Sequence, residues 1–238
     1  MQGLTEFLPV SSSGHLVLAE QLLAVRRPGL ALETGLHLGT LLAVVWAYRR
    51  SLLRDAARLW VPLLLASLPA GAAGLLLRGG VDRLFGSAAA VGAALGGTGL
   101  AFLLVGFRPG GRRRAEDVRA GNALWIGLLQ VLALAPGVSR SGVTILGGLL
   151  CGLEPGEAAR FSFLMSLPAV GAAVALQAAS PLPAGALLPL LAGAAVAAGV
   201  GAWAIGFCTA AVRRAGLRPF GWYCLAAGAL VLLRVALG

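Results

Sequence analysis

Charge is what this 238-residue chain has least of: Asp, Glu, Lys and Arg together make up 12% of it, about half the share found in soluble domains. So little charge excludes an intrinsically disordered chain, and an apolar content of 58% excludes a soluble enzyme. Lysine is missing altogether. All 19 basic residues are Arg, set against 9 acids for a net charge of +10. Such a balance suits nucleic acid or an anionic lipid surface, and the apolar excess decides for lipid, so no nucleic-acid partner is expected. Cysteine is scarce too: Cys151, Cys208 and Cys224 are an odd number inside apolar stretches, read as packed thiols rather than redox or metal groups. With no basic stretch leading a single isolated apolar segment, no secretory signal peptide is expected.

What the chain has is long apolar runs. A bilayer core of about 30 Å takes about 20 apolar residues per helix. Six stretches bounded by Arg or Pro fit: 36–47, whose start is placed nearer Leu30, then 59–77, 88–107, 161–178, 185–207 and 219–237. Two more, 1–24 and 121–151, are mostly apolar but broken at their centres by Pro, Gly and clusters of Ser. Irregular backbone at membrane depth survives only where protein or a wet cavity satisfies its N–H and C=O groups, so these read as re-entrant segments that mark a site. Arginine placement separates this from two kinked spans. If both segments turn back, the turns at 48–58, 108–120, Arg160 and 213–218 share one side with 13 Arg against 5; if both cross, the split is 10 against 8. The positive-inside rule selects the first, with the 13-Arg side cytoplasmic and both chain ends outside. The expected fold is an all-α integral membrane protein, one membrane domain over 1–238, with about six transmembrane helices plus two re-entrant helix–loop–helix segments.

Shifting the chain by 128 residues aligns QGLTEFLPVSSSGHL at 2–16 with QVLALAPGVSRSGVT at 130–144 without a gap. Gln2/Gln130, Leu4/Leu132, Val10/Val138, Ser11/Ser139, Ser13/Ser141 and Gly14/Gly142 are identical. Three spans separate the copies, and an odd number inserts the second upside down. That predicts an inverted-topology repeat, about 1–110 and 121–238, with a site near the midplane where discontinuous helices of the two halves meet. SLPA recurs off this register at 67–70 and 166–169 and reads as a helix-bending habit.

In each copy Pro or Gly ends one short helix, and a Ser cluster stands where the N-cap of the next belongs. Two facing helix N-termini, each with unpaired N–H groups and about half a positive charge, make an anion site suited to phosphate. Gln2, Ser11, Ser13, Ser139, Ser141, Gly142 and Thr144 are its expected lining, with Arg140. A guanidinium in the middle of a membrane segment is costly and functional by default, and its fork matches phosphate oxygens; the alternative is a structural Arg140–Glu6 pair locking the halves together. Glu6 is the only acid in the first break, with Gln2 one turn earlier on the same face. A carboxylate beside phosphate either binds a divalent cation, here with Gln2, or accepts a proton as general base. His15 follows Ser12 by three residues, a spacing that suits a nucleophile with an adjacent proton carrier. His37 reads as a packed or hydrogen-bonded core residue. Arg112, Arg113 and Arg114 read as a topological anchor, and Glu154, Glu157 and Arg160 as groups capping and flanking a helix.

These residues resemble the undecaprenyl-pyrophosphate phosphatase family, also called bacitracin-resistance proteins. The resemblance rests on QGLTEFLPVSSSGHL at 2–16, LHLGTLLAV at 36–44, and the run from Gln130 through PGVSRSGVT to FSFLMSLPA at 161–169, and it extends over nearly the whole chain. It implies a multi-pass enzyme of the bacterial cytoplasmic membrane, its active site opening to the outer side. The implied reaction removes the terminal phosphate of undecaprenyl pyrophosphate with a divalent cation, Mg2+ or Ca2+, and recycles the lipid carrier of cell-wall synthesis. The expected partners are that polyprenyl pyrophosphate, membrane lipid and a second copy in a homodimer. Position by position, Gln2 and Glu6 match the family's acidic motif, Ser12 and His15 its Ser and His, and Arg140 the Arg of its PGxSRS motif. Many members carry Glu where this chain has Gln2, which leaves more of any cation site to Glu6. Members also carry helix ahead of this motif, so further residues before Met1 are expected. The competing class is a carrier of polyprenyl phosphate or a small anion on the same inverted architecture.

Overall fold

Every apolar run that the computed structural model describes, over residues 1–23, 30–77, 87–105, 111–178 and 185–237, is helical. In chain order the helices are α1 (Gln2–Thr5), α2 (Ser12–Leu23), α3 (Leu30–Arg54), α4 (Ala56–Leu76), α5 (Ala88–Val105), α6 (Ala120–Val131), α7 (Arg140–Leu150), α8 (Pro155–Leu164), α9 (Ser166–Ala178), α10 (Leu187–Ala215) and α11 (Arg218–Leu237). Among the described residues there is no strand, only an isolated bridge between Arg113 and Leu153. Four helices, α4, α5, α10 and α11, are long and apolar enough to cross a bilayer, so the protein is an all-α membrane protein. Arg26, Arg27, Arg78, Arg83 and Arg108, used in the charge count, lie outside the described residues, as do 106–107 of the third expected span.

Three spans differ from their expected form, one of them α10, which runs on to Ala215 past the expected end at 207. The first runs from Leu30 to Arg54 rather than 36–47, because Tyr48 to Arg54 continue the helix as an Arg-bearing extension past the apolar stretch. The stretch at 161–178 is two helices parted at Met165. Pro168 has no N–H for the carbonyl of Leu164, so α8 ends there, and the proline falls in the first turn of α9 where no donor is needed. Pro69, in the matching SLPA, stays inside α4.

The second broken segment is a hairpin. The Arg113 N–H donates to Gly152 O at 3.3 Å and the Glu154 N–H to Arg113 O at 2.9 Å, so the chain leaves this segment beside the place where it approached it. Helices pair tightly where small residues meet, α5 against α11 and α3 against α10, as expected where lipid gives no hydrophobic drive and close contact must supply the attraction. A Cβ on Gly99 would lie 2.6 Å from Leu225 N and 2.7 Å from Gly221 O. The fully buried large side chains, including Phe7, Phe102, Phe161, Phe163 and Met165, gather around the two breaks, and Phe7 meets Phe163 edge to face at 5.4 Å. Leucines and tryptophans such as Leu76, Trp46, Trp203 and Trp222 cover the outside.

The four Arg-bearing turns assigned to one side meet at one end. Arg160, buried in α8 rather than flanking it, donates to Glu157 at 2.8 Å, Glu116 at 2.9 Å and Asp55 at 3.1 Å, and also to Ser51. Glu157 accepts the Ala115 N–H at 3.0 Å, and Arg213 pairs with Glu154 at 3.6 Å. The α3–α4 corner, the 113–119 loop, the start of α8 and the α10–α11 corner are thereby joined. A hydrogen bond from Arg54 holds the Asp55 carboxyl below the usual carboxylate range, which keeps it charged for Arg160 at neutral pH. Arg160→Ala leaves three carboxylates facing one another without their common cation. It is expected to destabilise the fold by about 3–5 kcal/mol, read as a lower thermal unfolding midpoint in detergent; an unchanged midpoint would dismiss this network as a fastener.

Candidate active site

Each break is built around a residue in the left-handed region. In the first, after Pro9, Ser11 adopts φ 66°, a conformation that costs an L-residue about 1–2 kcal/mol. Its neighbours hold it there. Ser11 O accepts the His15 backbone N–H at 3.2 Å and lies 2.8 Å from His15 Nδ1, and Ser11 Oγ accepts the Gly14 N–H at 3.2 Å as α2 begins. In the second, after Pro136, Gly137 sits at φ 98° and Ser139 caps α7, its Oγ accepting the Gly142 N–H at 3.2 Å. Ser11 meets Ser13 at 3.4 Å and Ser139 meets Ser141 at 3.3 Å. Positions 128 apart thus make the same bonds, because in each copy a Ser stands three residues ahead of a Gly at the start of a helix, where its hydroxyl caps the free N–H.

The breaks touch. Ser141 Oγ donates to Leu8 O at 3.1 Å. Arg140 donates through Nη2 to Glu6 Oε1 and through Nη1 to Ser162 O at 3.3 Å. The other Glu6 oxygen accepts from Gln2 Nε2 at 2.9 Å and from Ser12 Oγ at 3.4 Å, and the same Gln2 nitrogen lies 3.3 Å from His37 Nδ1. Arg140, Glu6, Ser12 and Gln2 therefore form one connected set, Glu6 and Gln2 buried and Arg140 and Ser12 half-buried. A cavity of about 730 Å³ reaches this set at Arg140, walled by apolar residues of α4, α9 and the turn after α6, with Arg140, His37, Gln130 and Ser67 as its polar lining. An apolar groove ending in a guanidinium suits a lipid with an anionic head.

Two expected site residues are turned elsewhere. His15 Nδ1 faces Ser11 O, so it carries the proton, and Nε2 takes the Tyr223 hydroxyl at 2.6 Å with the two rings stacked. Ser12 bonds to Glu6, and no hydrogen bond joins it to His15 among the described residues. Thr144 is fully buried, its hydroxyl held by Ser162 Oγ at 2.6 Å and by carbonyls of its own helix. Three residues escaped sequence reasoning as members of the site. Gln130 had a signal, as the repeat partner of Gln2; His37 and Ser162 sit in apolar surroundings that read as packing. Among the described residues no three His, Cys, Asp or Glu side chains gather to hold a metal ion. Glu6 is the one carboxylate at the breaks, which is the protein share expected of a cation that takes its other ligands from substrate phosphates and water.

The chain is similar over nearly its whole length to known proteins. Residues 1–230 match the family described as bacitracin resistance protein BacA. The chain is 41% identical over 252 residues to an undecaprenyl-diphosphatase of Geobacter sulfurreducens, covering 98% of this chain and 94% of that one. It is 43% identical over 254 residues to an undecaprenyl-diphosphatase of Rubrobacter xylanophilus, with 97% and 93% covered. Against that of Gemmatimonas aurantiaca it is 39% identical over 254 residues, with 99% and 95% covered.

The break at Gly137 allows a direct test of the local design. A Cβ there would meet Val91 O at 2.6 Å on a backbone that already disfavours one. Gly137→Ala should destabilise by more than about 1–2 kcal/mol, visible as a lowered unfolding midpoint, whereas Gly121→Ala, with open space around it, should not.

Proposed function

The chain belongs to the bacitracin resistance protein BacA family, and from that membership we propose that it is an undecaprenyl-diphosphatase. It hydrolyses undecaprenyl pyrophosphate to the monophosphate and inorganic phosphate, which returns the lipid carrier to cell-wall synthesis. The observation that carries this reading to its residues is the apolar groove lined by Arg140, which pairs with Glu6 where the two breaks touch. The isoprenoid chain lies in the groove between α4 and α9. The pyrophosphate reaches Arg140, which turns part of its fork from Glu6 to the phosphate oxygens.

In this reading Ser12 is the nucleophile and Glu6 its base, since the Ser12 hydroxyl already donates to Glu6. The Ser12 oxygen bonds to the terminal phosphorus while the bridging P–O bond breaks and polyprenyl phosphate leaves. The Ser12 proton passes to Glu6. Water then hydrolyses the phosphoserine and frees phosphate; direct attack by water held at Ser12 is the variant. Arg140 and the N–H groups at the start of α7 neutralise the equatorial oxygens of a loose transition state, where positioning and charge do most of the work. Glu6 and Gln2 are the residues that would hold a divalent cation, which when bound would supply positive charge against the pyrophosphate. His15 acts as a positioning residue, holding Ser11 O through Nδ1 and the Tyr223 hydroxyl through Nε2.

The two halves, about 1–110 and 121–238, are copies in opposite orientation. Helix order supports this: a broken segment followed by helical spans occurs twice, at the spacing of the repeat. The membrane is the bacterial inner membrane, with the Arg-rich end in the cytoplasm. α4 runs away from that end, and its later residues line the groove, so the site opens outward.

Purified wild type should release phosphate from a polyprenyl pyrophosphate in a cation-dependent way, with release abolished by Glu6→Gln and Arg140→Ala. Arg140→Lys should lower kcat/KM by about ten- to a hundred-fold, because an ammonium cannot form the bidentate fork. Substrate binding without release by wild type would defeat the enzyme reading in favour of a carrier. Orientation is checked in whole cells of a Cys151→Ser background. An impermeant thiol reagent should label Leu188→Cys, exposed at the start of α10, and spare Arg112→Cys at the Arg-rich end; the reverse pattern inverts the topology.

A further inference from the structure

Four of the residues lining the groove are polar: His37, Ser67, Gln130 and Arg140. Ser67 is spent within its own helix, donating to Leu63 O at 2.8 Å, and Arg140 is paired with Glu6. His37 and Gln130 have no part in the mechanism above. Gln130 is 3% exposed, yet its Oε1 has no hydrogen-bond partner. A buried amide oxygen is seldom left so in a folded protein unless a ligand or water supplies the donor, which marks this end of the groove as built for an occupant.

The hydrogen bonds of Gln2 decide how His37 addresses that occupant. The Gln2 atom beside Glu6 Oε2 has to be its nitrogen, because an amide oxygen there would face a carboxylate oxygen. That nitrogen carries two hydrogens. One goes to Glu6 at 2.9 Å, and the second is directed to His37 Nδ1 at 3.3 Å, which must therefore be the acceptor. The His37 ring proton then sits on Nε2, and Nε2 has no bonding partner among the described residues. A neutral imidazole so held is an N–H donor at the wall of a cavity that already contains a guanidinium.

We propose that His37 is a phosphate-binding residue of this site: its Nε2–H donates to a non-bridging oxygen of the bound pyrophosphate, and Gln2 fixes the tautomer from behind. This deepens the diphosphatase reading and rests on it for the identity of the natural ligand. It also gives Gln2 work that a carboxylate could not do, since only an amide nitrogen can donate to Glu6 and to His37 at once.

Two substitutions separate this role from a structural one. Gln at position 37 carries an N–H close to where Nε2 lies, and Asn carries polar atoms only near Nδ1. With inorganic pyrophosphate as the probe and calorimetry in detergent as the readout, His37→Gln should keep Kd within about three-fold of wild type. His37→Asn should weaken it about ten-fold or more, the scale of one hydrogen bond to a charged group. KM for the polyprenyl pyrophosphate should follow the same order. The opposite order, or equal Kd in all three proteins, would overturn the proposal. A measurement on wild type needs no variant to fold. The chain has two histidines, so 15N-histidine labelling leaves few signals to assign. Pyrophosphate should shift the protonated Nε2 of His37 and leave Nδ1 unprotonated; a His37 signal unmoved at saturating pyrophosphate sinks the assignment. If pyrophosphate moves His37 but wild type releases no phosphate from the lipid, the diphosphatase reading fails and the His37 site stands.

Discussion

Everything in this molecule depends on one buried ion pair, Arg140 with Glu6, formed between two interruptions in helices 134 residues apart. A guanidinium at the depth where α7 begins is tolerable only if its charge and its donors are met inside the protein. Glu6 meets the charge, and Ser162 O takes a further N–H. The same pair holds the two breaks together, with Ser141 reaching Leu8 O beside it. The aromatic groups around the breaks, Phe7, Phe102 and Phe163 among them, keep lipid and bulk water from the exposed backbone. Remove the pair and the irregular backbone loses the contact that justifies its depth.

The pair is also why the site can work. Between a structural lock and an anion site the choice is not exclusive: Arg140 is held by Glu6 in a pose from which it can share its fork with phosphate. Glu6 stands between Arg140, Gln2 and Ser12, so a change at one is felt by the others. At the Arg-rich end the charge logic is reversed. There Arg160 gathers three carboxylates and, with the Arg213–Glu154 pair, ties four turns together, a fastener remote from the groove, whereas at the breaks a single carboxylate serves several donors. One end is fastened by ion pairs, and the other, in the proposed reading, receives an anion.

Some of this was legible in the chain. Apolar length, the Pro, Gly and Ser interruptions, and the grouping of Arg residues each depend on how a residue solvates or bends its own stretch of backbone. They therefore predicted helical spans, two breaks with Ser caps and Arg-bearing turns on one side, and the structure joins those turns at one end. The Arg140–Glu6 pair was foreseen as an alternative because each residue was the lone charge of its break. Helix limits were less legible: Arg49 and Arg50 ended the apolar run without ending α3, and Met165 parts a stretch that hydropathy alone reads as continuous.

Partner choice was not legible. Ser12 and His15 are three residues apart and look like a couple, yet a left-handed Ser11 turns His15 toward Tyr223 and leaves Ser12 to Glu6. His37 looked like core in LETGLHLGTLL, and only the packing of α3 against the first break sets it beside Gln2. By itself, then, the sequence determined where the chain is apolar, where it must break and which charges have to be answered, because those follow from local solvation and backbone geometry. Which side chain answers which was decided in three dimensions, since a hydrogen bond between residues 2 and 37, or 6 and 140, exists only after helices far apart in the chain have packed.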